Sequence, residues 1–189
     1  MSILLTGFEP FDGAEINPSW EAVCLMPEIV AGRKIHRLQL PTVYGRAAEI
    51  LRQAIEGIQP ELVICCGVAN GRAGVTPELT AINYRWARIP DNAGQQFTGV
   101  PIDPAGQTAY MTSLPVHKMI DAMKSAEIPA YLSLSAGAYV CNDVYYALLS
   151  CERAYGHRGL FLHVPGLDVV PAEKASLAIR LCIETVLKE

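Results

Sequence analysis

A cysteine that attacks a carbonyl needs a base, usually histidine, and the base works best when a third polar group orients it. The chain holds six cysteines and four histidines. Cys141, in SAGAYVCN (135–142), falls where the apolar run AYLSLSA gives way to the helical pattern NDVYYALLSCERAYG, through the small residues Ser135, Ala136 and Gly137. A thiol at a helix N-terminus meets the positive end of the helix dipole, which favours thiolate and lowers its pKa. Free cysteine is also among the most buried residue types, so a small packing role is the alternative. Packing is the better reading for Cys65 and Cys66, inside an apolar run, and for Cys24, Cys151 and Cys182, inside helical patterns.

Of the histidines, His36 lies in an early strand-like run, His117 in a helical one and His157 in the polar turn AYGHRG. A surface or structural role is the default for each. His163 in LFLHVPG differs, because it sits at the carboxyl end of a predicted strand, on the same edge as Cys141. A satisfied core histidine is the competing reading. Glu78, in GVTPELTAIN, is the candidate orienting carboxylate, and a solvated loop glutamate is its alternative. No GxSxG, Walker, GxGxxG or HExxH motif is present, and GVANGRAG (67–74) reads as a tight turn before it reads as an anion cradle.

Those residues require elements to carry them. SILLT (2–6) reads as a buried strand, and the loop GFEPFDGAEI leads to Asn17-Pro18, an N-cap with proline at the first helical position, so WEAVCLM continues as a short helix. KIHRLQL (34–40) alternates like a strand, and RAAEILRQAIEGI carries apolar residues at helical spacing up to Pro60. ELVICCG (61–67) is too short for a helix and reads as a central strand. Residues 67 to 107 are then irregular around one strand-like piece, LTAINY (79–84); so long an irregular stretch inside a domain is usually functional. PVHKMIDAMKSAEI reads as helix, AYLSLSA as strand, GLFLHVP as strand and AEKASLAIRLCIETVLKE as a terminal helix. The alternation predicts a single α/β domain spanning residues 1–189: an open, largely parallel twisted sheet with helices on both faces and a site at the carboxyl ends of its strands.

Composition narrows the classes. Hydrophobic residues make up 51% and charged residues 18%, a globular balance, and no stretch approaches the length of a membrane span. The net charge of −4, without a basic run, argues against a nucleic-acid partner. MSILLTGFEPF has no basic n-region and too short an apolar run for a signal peptide, so a reducing cytoplasm is expected. No CxxC spacing occurs, which disfavours a zinc site, and disulfides are not expected.

With these residues in hand, the chain resembles the type I pyroglutamyl peptidases. The matching segments run nearly end to end: LLTGFEPFDG with NPSWEAV, QLPTVYG, GVANGR, TPELTAIN, ARIPDNAG, SAGAYVCN followed by Tyr146, and FLHVP. The resemblance implies a Glu-Cys-His cysteine peptidase on one open α/β domain, with Glu78, Cys141 and His163 as the triad and no metal or cofactor. It implies hydrolytic release of an N-terminal pyroglutamyl residue from peptides through a thioester. The Cys141 amide and Arg88 would stabilise the oxyanion. Phe8, Phe11, Tyr139 and Val140 would line a lactam pocket, with Asn17 at its polar edge. Many such enzymes are cytoplasmic homotetramers, so a homo-oligomer, tetramer or dimer, is expected. Three departures stand out: Val68 replaces a glutamine of relatives, Leu79 stands where an arginine usually follows the glutamate, and the segment PGLDVVPAEKAS after His163 looks short. Val68 and Leu79 keep two alternatives in view, a weakened paralogue that binds such peptides and a hydrolase of another small lactam or amide.

Overall fold

The computed structural model describes residues 1–188. The chain opens with β1 (Ser2–Phe8), α1 (Pro18–Cys24), β2 (Ile29–Val30), β3 (Arg33–Leu40), α2 (Arg46–Ile58) and β4 (Leu62–Val68). Next come β5 (Thr76–Pro77), β6 (Thr80–Ile82), β7 (Arg85–Trp86), β8 (Thr98–Val100) and β9 (Ala109–Met111). The chain ends with α3 (Val116–Ser125), α4 (Val140–Ser150), α5 (Glu152–Tyr155), β10 (Arg158–Val164) and α6 (Ala172–Leu187).

One sheet organises these elements, in the order β2-β3-β1-β4-β10-β5. β3, β1, β4 and β10 run parallel, and the short strands β2 and β5 pair antiparallel at the two edges. β1, β4 and β10 are buried along almost their whole length, which is why their sequences are continuous apolar runs. β3 keeps a polar alternation because part of it faces solvent. One face of the sheet packs against α1, α3 and α6 through Ile3, Leu5, Ile64, Met119 and Ile179. The other packs against α2 and α4 through Leu4, Leu51, Val63, Tyr145 and Phe161. Each such side chain, fully buried, contributes roughly 1.5–3 kcal/mol of transfer free energy. The α/β fold with a mostly parallel sheet and helices on both faces is as the alternation predicts. Among the described residues no helix is long and apolar enough to cross a membrane.

Local signals hold where caps and breakers are explicit. Asn17 caps α1, its Oδ1 accepting from Ser19 N at 3.1 Å and Ser19 Oγ at 2.8 Å, with Pro18 at the first helical position. α2 covers the predicted segment and ends on Gln59 in the left-handed region, just before Pro60.

Three expectations need correction. AYLSLSA is not a strand: residues 130–133 run beside the 75–79 segment but form only two isolated parallel bridges, Val75 to Ala130 and Glu78 to Ser133. Pro77 has no N–H to give the ladder, and the segments are joined by Val75 N–Pro129 O, Tyr131 N–Val75 O, Ser133 N–Pro77 O and Leu79 N–Ser133 O. LTAINY contributes only the three residues of β6, and these pair with β9 outside the main sheet. The helix predicted over NDVYYALLSCERAYG begins earlier, at Val140, and breaks at Cys151 into α4 and α5. The last residue of the predicted terminal helix, Glu189, lies outside the described residues.

Candidate active site

Sheet register assembles the polar cluster. In the antiparallel pair, His163 of β10 faces Thr76 and Leu162 faces Pro77, so the next position brings Glu78 opposite Phe161, and Glu78 N donates to Phe161 O at 2.9 Å. Residues opposite one another in a ladder project to the same side, and alternate residues share a side. Thr76, Glu78, Phe161 and His163 therefore all face α4. In the parallel pair on the other flank, His163 is in register with Gly67, which turns the same way.

Gly67 has no side chain there, and Cys141 uses the space. A Cβ on Gly67 would stand 2.9 Å from Cys141 Sγ and 2.9 Å from Phe161 Cζ. Cys141 is the second residue of α4, whose N-cap, Tyr139, supplies no side-chain cap. First-turn amides of a helix have no intrahelical acceptor, so the Cys141 N–H is an available donor beside its own sulfur. Two buried residues just beyond it fix the helix start. Asn142 accepts from Ile82 N at 2.9 Å and donates to Ile82 O and Tyr84 O at 2.8 and 3.1 Å. Asp143 accepts from Gly45 N at 2.8 Å and Arg85 Nε at 2.6 Å.

His163 Nδ1 lies 2.7 Å from Glu78 Oε1. A carboxylate can only accept, so Nδ1 is the protonated nitrogen and Nε2 is left as the basic one. Burial dominates the electrostatics. It disfavours the charged imidazole, and His163 is held below its ordinary range although the Glu78 hydrogen bond and charge pull the other way; Arg72 adds to the lowering. Glu78 is fully buried, which raises a carboxyl, but the His163 hydrogen bond and charge, the nearby Ser133 hydroxyl and the Arg72 guanidinium outweigh this and hold it below its ordinary range. Ser133 Oγ itself is turned to the Ser135 carbonyl at 3.2 Å. The Cys141 thiol is pushed up to about 12, by burial first and by the Glu78 charge second, with Arg72 and its own amide opposing. The helix-terminus expectation of a lowered thiol pKa is therefore not met: burial and the Glu78 charge push it up. The resting site is a neutral thiol, a neutral imidazole and a carboxylate.

Cys141 also lines a small cleft. Its walls include all six residues expected at the pocket: Phe8, Phe11, Asn17, Val68, Tyr139 and Val140. Phe11 and Tyr139 stack tilted with centroids 6.1 Å apart. The Asn17 amide is already engaged, its Oδ1 in the α1 cap and its Nδ2 on Glu9 O at 3.0 Å. Arg88 is exposed and lines a neighbouring depression with Trp86 and Ile89 that shares the Phe11 and Tyr139 wall; it is not among the residues around Cys141. A wider groove continues from the cleft through Phe11 and Val68, past Asp12, Asn70 and Asp168. The remaining histidines stand apart: His157 is buried with Nε2 3.2 Å from Leu148 O, His117 is exposed, and His36 is half-buried on β3.

A sequence model described as pyroglutamyl peptidase matches residues 1–189. The chain belongs to the pyroglutamyl peptidase family. It is 45% identical over 180 residues to the pyrrolidone-carboxylate peptidase of Enterococcus faecalis, covering 94% of this chain and 84% of the relative. Identity to the enzyme of the same name from Klebsiella pneumoniae is 42% over 193 residues, covering 98% and 90%. In structure it resembles the crystal structure of Bacillus amyloliquefaciens pyroglutamyl peptidase I, with a TM-score of 0.94 at 37% identity, covering 100% of this chain and 97% of that one.

Two residues of this family member escaped the sequence reading. Thr42 lines the cleft from the loop after β3, its amide bound to Glu9 Oε1 at 3.1 Å. It lies inside QLPTVYG, but no local pattern says that the ends of β1 and β3 enclose a ligand. Arg72 donates to Glu78 Oε1 at 2.6 Å and to the Thr76 hydroxyl. Its segment, GVANGRAG, reads as a tight turn before an anion cradle, and neither reading pairs Arg72 with Glu78. Leu79 is half-buried and packs against the apolar cluster beneath the sheet.

Proposed function

We propose that this chain is a cysteine exopeptidase that hydrolyses the bond after an N-terminal pyroglutamyl residue, with Cys141 as nucleophile, His163 as general base and acid, and Glu78 as the orienting group, on a single catalytic domain. The reading rests on one observation above all: the 2.7 Å contact of His163 Nδ1 with buried Glu78 Oε1, in the strand position whose register partner, Gly67, makes room for the Cys141 sulfur.

The chemistry follows from the protonation states. Because burial keeps the thiol neutral, the thiolate forms as the sulfur attacks, its proton passing to His163 Nε2. The imidazolium that results is stabilised by Glu78. The carbonyl oxygen, now bearing the charge, turns toward the Cys141 amide at the start of α4. As the C–N bond breaks, Nε2 protonates the departing amine, leaving a thioester. Water then attacks, losing its proton to Nε2, and pyroglutamate leaves as the thiol is restored.

A lactam ring is flat and largely apolar with one N–H and one C=O, which suits aromatic walls and few hydrogen bonds. Phe8, Phe11, Tyr139, Val140 and Val68 supply such walls, and the groove past Asn70 receives the leaving peptide on the side away from the ring. Arg88, outside the cleft, is left without a direct oxyanion role in this scheme. The setting is the cytoplasm and the working form a homo-oligomer, for which exposed Trp86, Met111 and Leu134 offer apolar surface.

A fluorogenic pyroglutamyl amide, run beside prolyl and glutamyl amides, tests the assignment. Release from the pyroglutamyl substrate alone, abolished in Cys141→Ala, is expected. Equal turnover of the three amides, or activity retained in the variant, would reject it.

A further inference from the structure

We propose that Arg72 is a positioning residue of the catalytic apparatus, which shares one carboxylate oxygen of Glu78 with His163 and thereby sets the pH window in which the Cys141–His163 pair operates. The inference rests on the functional reading above and adds a fourth member to its polar chain.

Three features of the geometry carry it. Glu78 Oε1 receives Arg72 Nη1 at 2.6 Å and faces His163 Nδ1 at 2.7 Å, so both partners draw on the same oxygen. Oε2 is buried and has no hydrogen-bond partner, so the ionic contacts of the carboxylate converge on Oε1. Arg72 is also held by the Thr76 hydroxyl, and Thr76 stands opposite His163 in the β5–β10 ladder. The strand that places Glu78 therefore places the guanidinium as well.

A fully buried carboxylate facing only a neutral imidazole would be an uncompensated charge, and such groups recover a proton rather than stay ionised. The guanidinium cannot be deprotonated, so it keeps Glu78 anionic whatever the state of His163. Sharing has a second effect. An oxygen committed to Arg72 attracts the imidazole proton less strongly, so His163 stays neutral at rest and becomes a cation only when the thiol proton arrives.

The groups facing this chain are few. His163 comes from β10, Cys65 from β4, Cys141 and Tyr145 from α4, and Tyr139 from the helix cap; the Tyr145 hydroxyl donates to the Glu78 carbonyl at 2.9 Å. Among the described residues Glu78 has no ionic partner besides Arg72 and His163. Removing that permanent positive charge favours every protonated form nearby, so the coupled Glu78–His163 pair takes up its proton at higher pH, whichever of the two holds it, and the thiol loses its own at higher pH.

The test measures kcat/KM against pH for wild type, Arg72→Gln and Arg72→Lys. In parallel, the rate of Cys141 alkylation by iodoacetamide is followed against pH in a Cys24→Ser background. In Arg72→Gln both limbs are expected to move alkaline by about 0.5–1 pH unit or more. Peak kcat should fall about 10- to 100-fold. KM should change little, because Arg72 does not line the cleft. Arg72→Lys should return the limbs towards their wild-type positions with only part of the rate, since a point charge lacks the planar fork. If Arg72→Gln does not fold, Thr76→Val loosens the guanidinium instead, and a smaller shift in the same direction is expected. A fall in rate with both limbs unmoved would mean a purely structural role and would overturn the proposal, as would wild-type behaviour. Alkylation needs no peptide: shifted alkylation in a protein that cleaves no pyroglutamyl amide would reject the functional reading and not this one.

Discussion

The Cys141 sulfur rests over the α-carbon of Gly67, in the space a side chain would fill. Both residues are held by rigid elements, Gly67 by its place between β1 and β10 in the sheet and Cys141 by the anchored first turn of α4. Gly67→Ala has no slack to absorb its methyl group, which would stand 2.9 Å from both Sγ and Phe161 Cζ. We expect overpacking to lower stability by about 1–3 kcal/mol. Displacement of the sulfur should lower kcat by about 100-fold. Denaturant unfolding and steady-state kinetics on one preparation check this; activity within twofold of wild type would show that Sγ does not need this seat.

The triad variants should separate by role. Cys141→Ala should fold normally and be inactive, and His163→Ala should be nearly so. Glu78→Gln should retain measurable turnover, because an orienting group matters less than the base it orients. Thiol labelling needs one precaution, since Cys24 is exposed whereas Cys65, Cys66, Cys151 and Cys182 are buried. In Cys24→Ser protein, iodoacetamide is expected to modify Cys141 alone. Peptide mapping that finds another cysteine labelled first, or wild-type rates in His163→Ala, would require a different nucleophile or base.

Buried neutral histidines make the fold sensitive to acid. His163 is held below the ordinary 6.5 by burial, against the pull of Glu78, and His157 by burial, against its bond to Leu148 O. The unfolded chain therefore takes up these protons first as pH falls below about 6.5, and stability drops by up to about 1.4 kcal/mol per pH unit for each histidine until its native-state pKa is reached. Glu78, held low despite its burial, extends the loss through the carboxylate range, because its stabilisation is present above the unfolded pKa and disappears as pH falls. Glu152, raised by burial, works in the opposite direction. Urea midpoints at pH 7, 6 and 5 should fall in sequence, and His157→Gln should flatten the decline between pH 6.5 and 5. A midpoint that is flat or rises toward pH 5 would contradict this.

The legible parts of the molecule were those that one stretch of chain decides. β1, β4 and β10 show as unbroken apolar runs because both faces are buried, and α1 and α2 carry their own caps and stops. Cys141 and His163 were found because each lies at the carboxyl edge of the sheet, where an α/β fold puts its ligands. What the sequence hid depends on two segments meeting. Residues 130–133 alternate like a strand, yet the neighbour they meet contains Pro77 and cannot complete a ladder. Arg72 reaches Glu78 only because the chain turns at Gly71, with φ +86°, before β5. A helix terminus is a local property, whereas the burial that pushes the thiol up is set by segments distant in sequence, among them Gly67 of β4 and Phe161 of β10.

Val68 stands where the family resemblance leads us to expect a glutamine at the pocket. It closes β4 one residue after Gly67 and borders both the cleft and the groove beyond it. Valine leaves that wall with neither donor nor acceptor, and the other polar side chains there are engaged, Asn17 in its cap and Thr42 Oγ1 on Glu9 O at 3.2 Å. Sites that hydrogen-bond a polar substrate group discriminate far more strongly than apolar walls do. Val68→Gln should therefore raise kcat/KM for pyroglutamyl amides, by about 5- to 150-fold if the new amide contacts the lactam directly, equivalent to about 1–3 kcal/mol, and by less if water bridges the two. The rate of Cys141 alkylation should stay near its wild-type value, since residue 68 turns to the opposite side of the sheet from Gly67 and His163. That second measurement separates a repaired pocket from an altered nucleophile. A folded Val68→Gln protein with unchanged or lower kcat/KM would mean that recognition has re-formed around valine, with backbone amides holding the ring in place of the missing side chain.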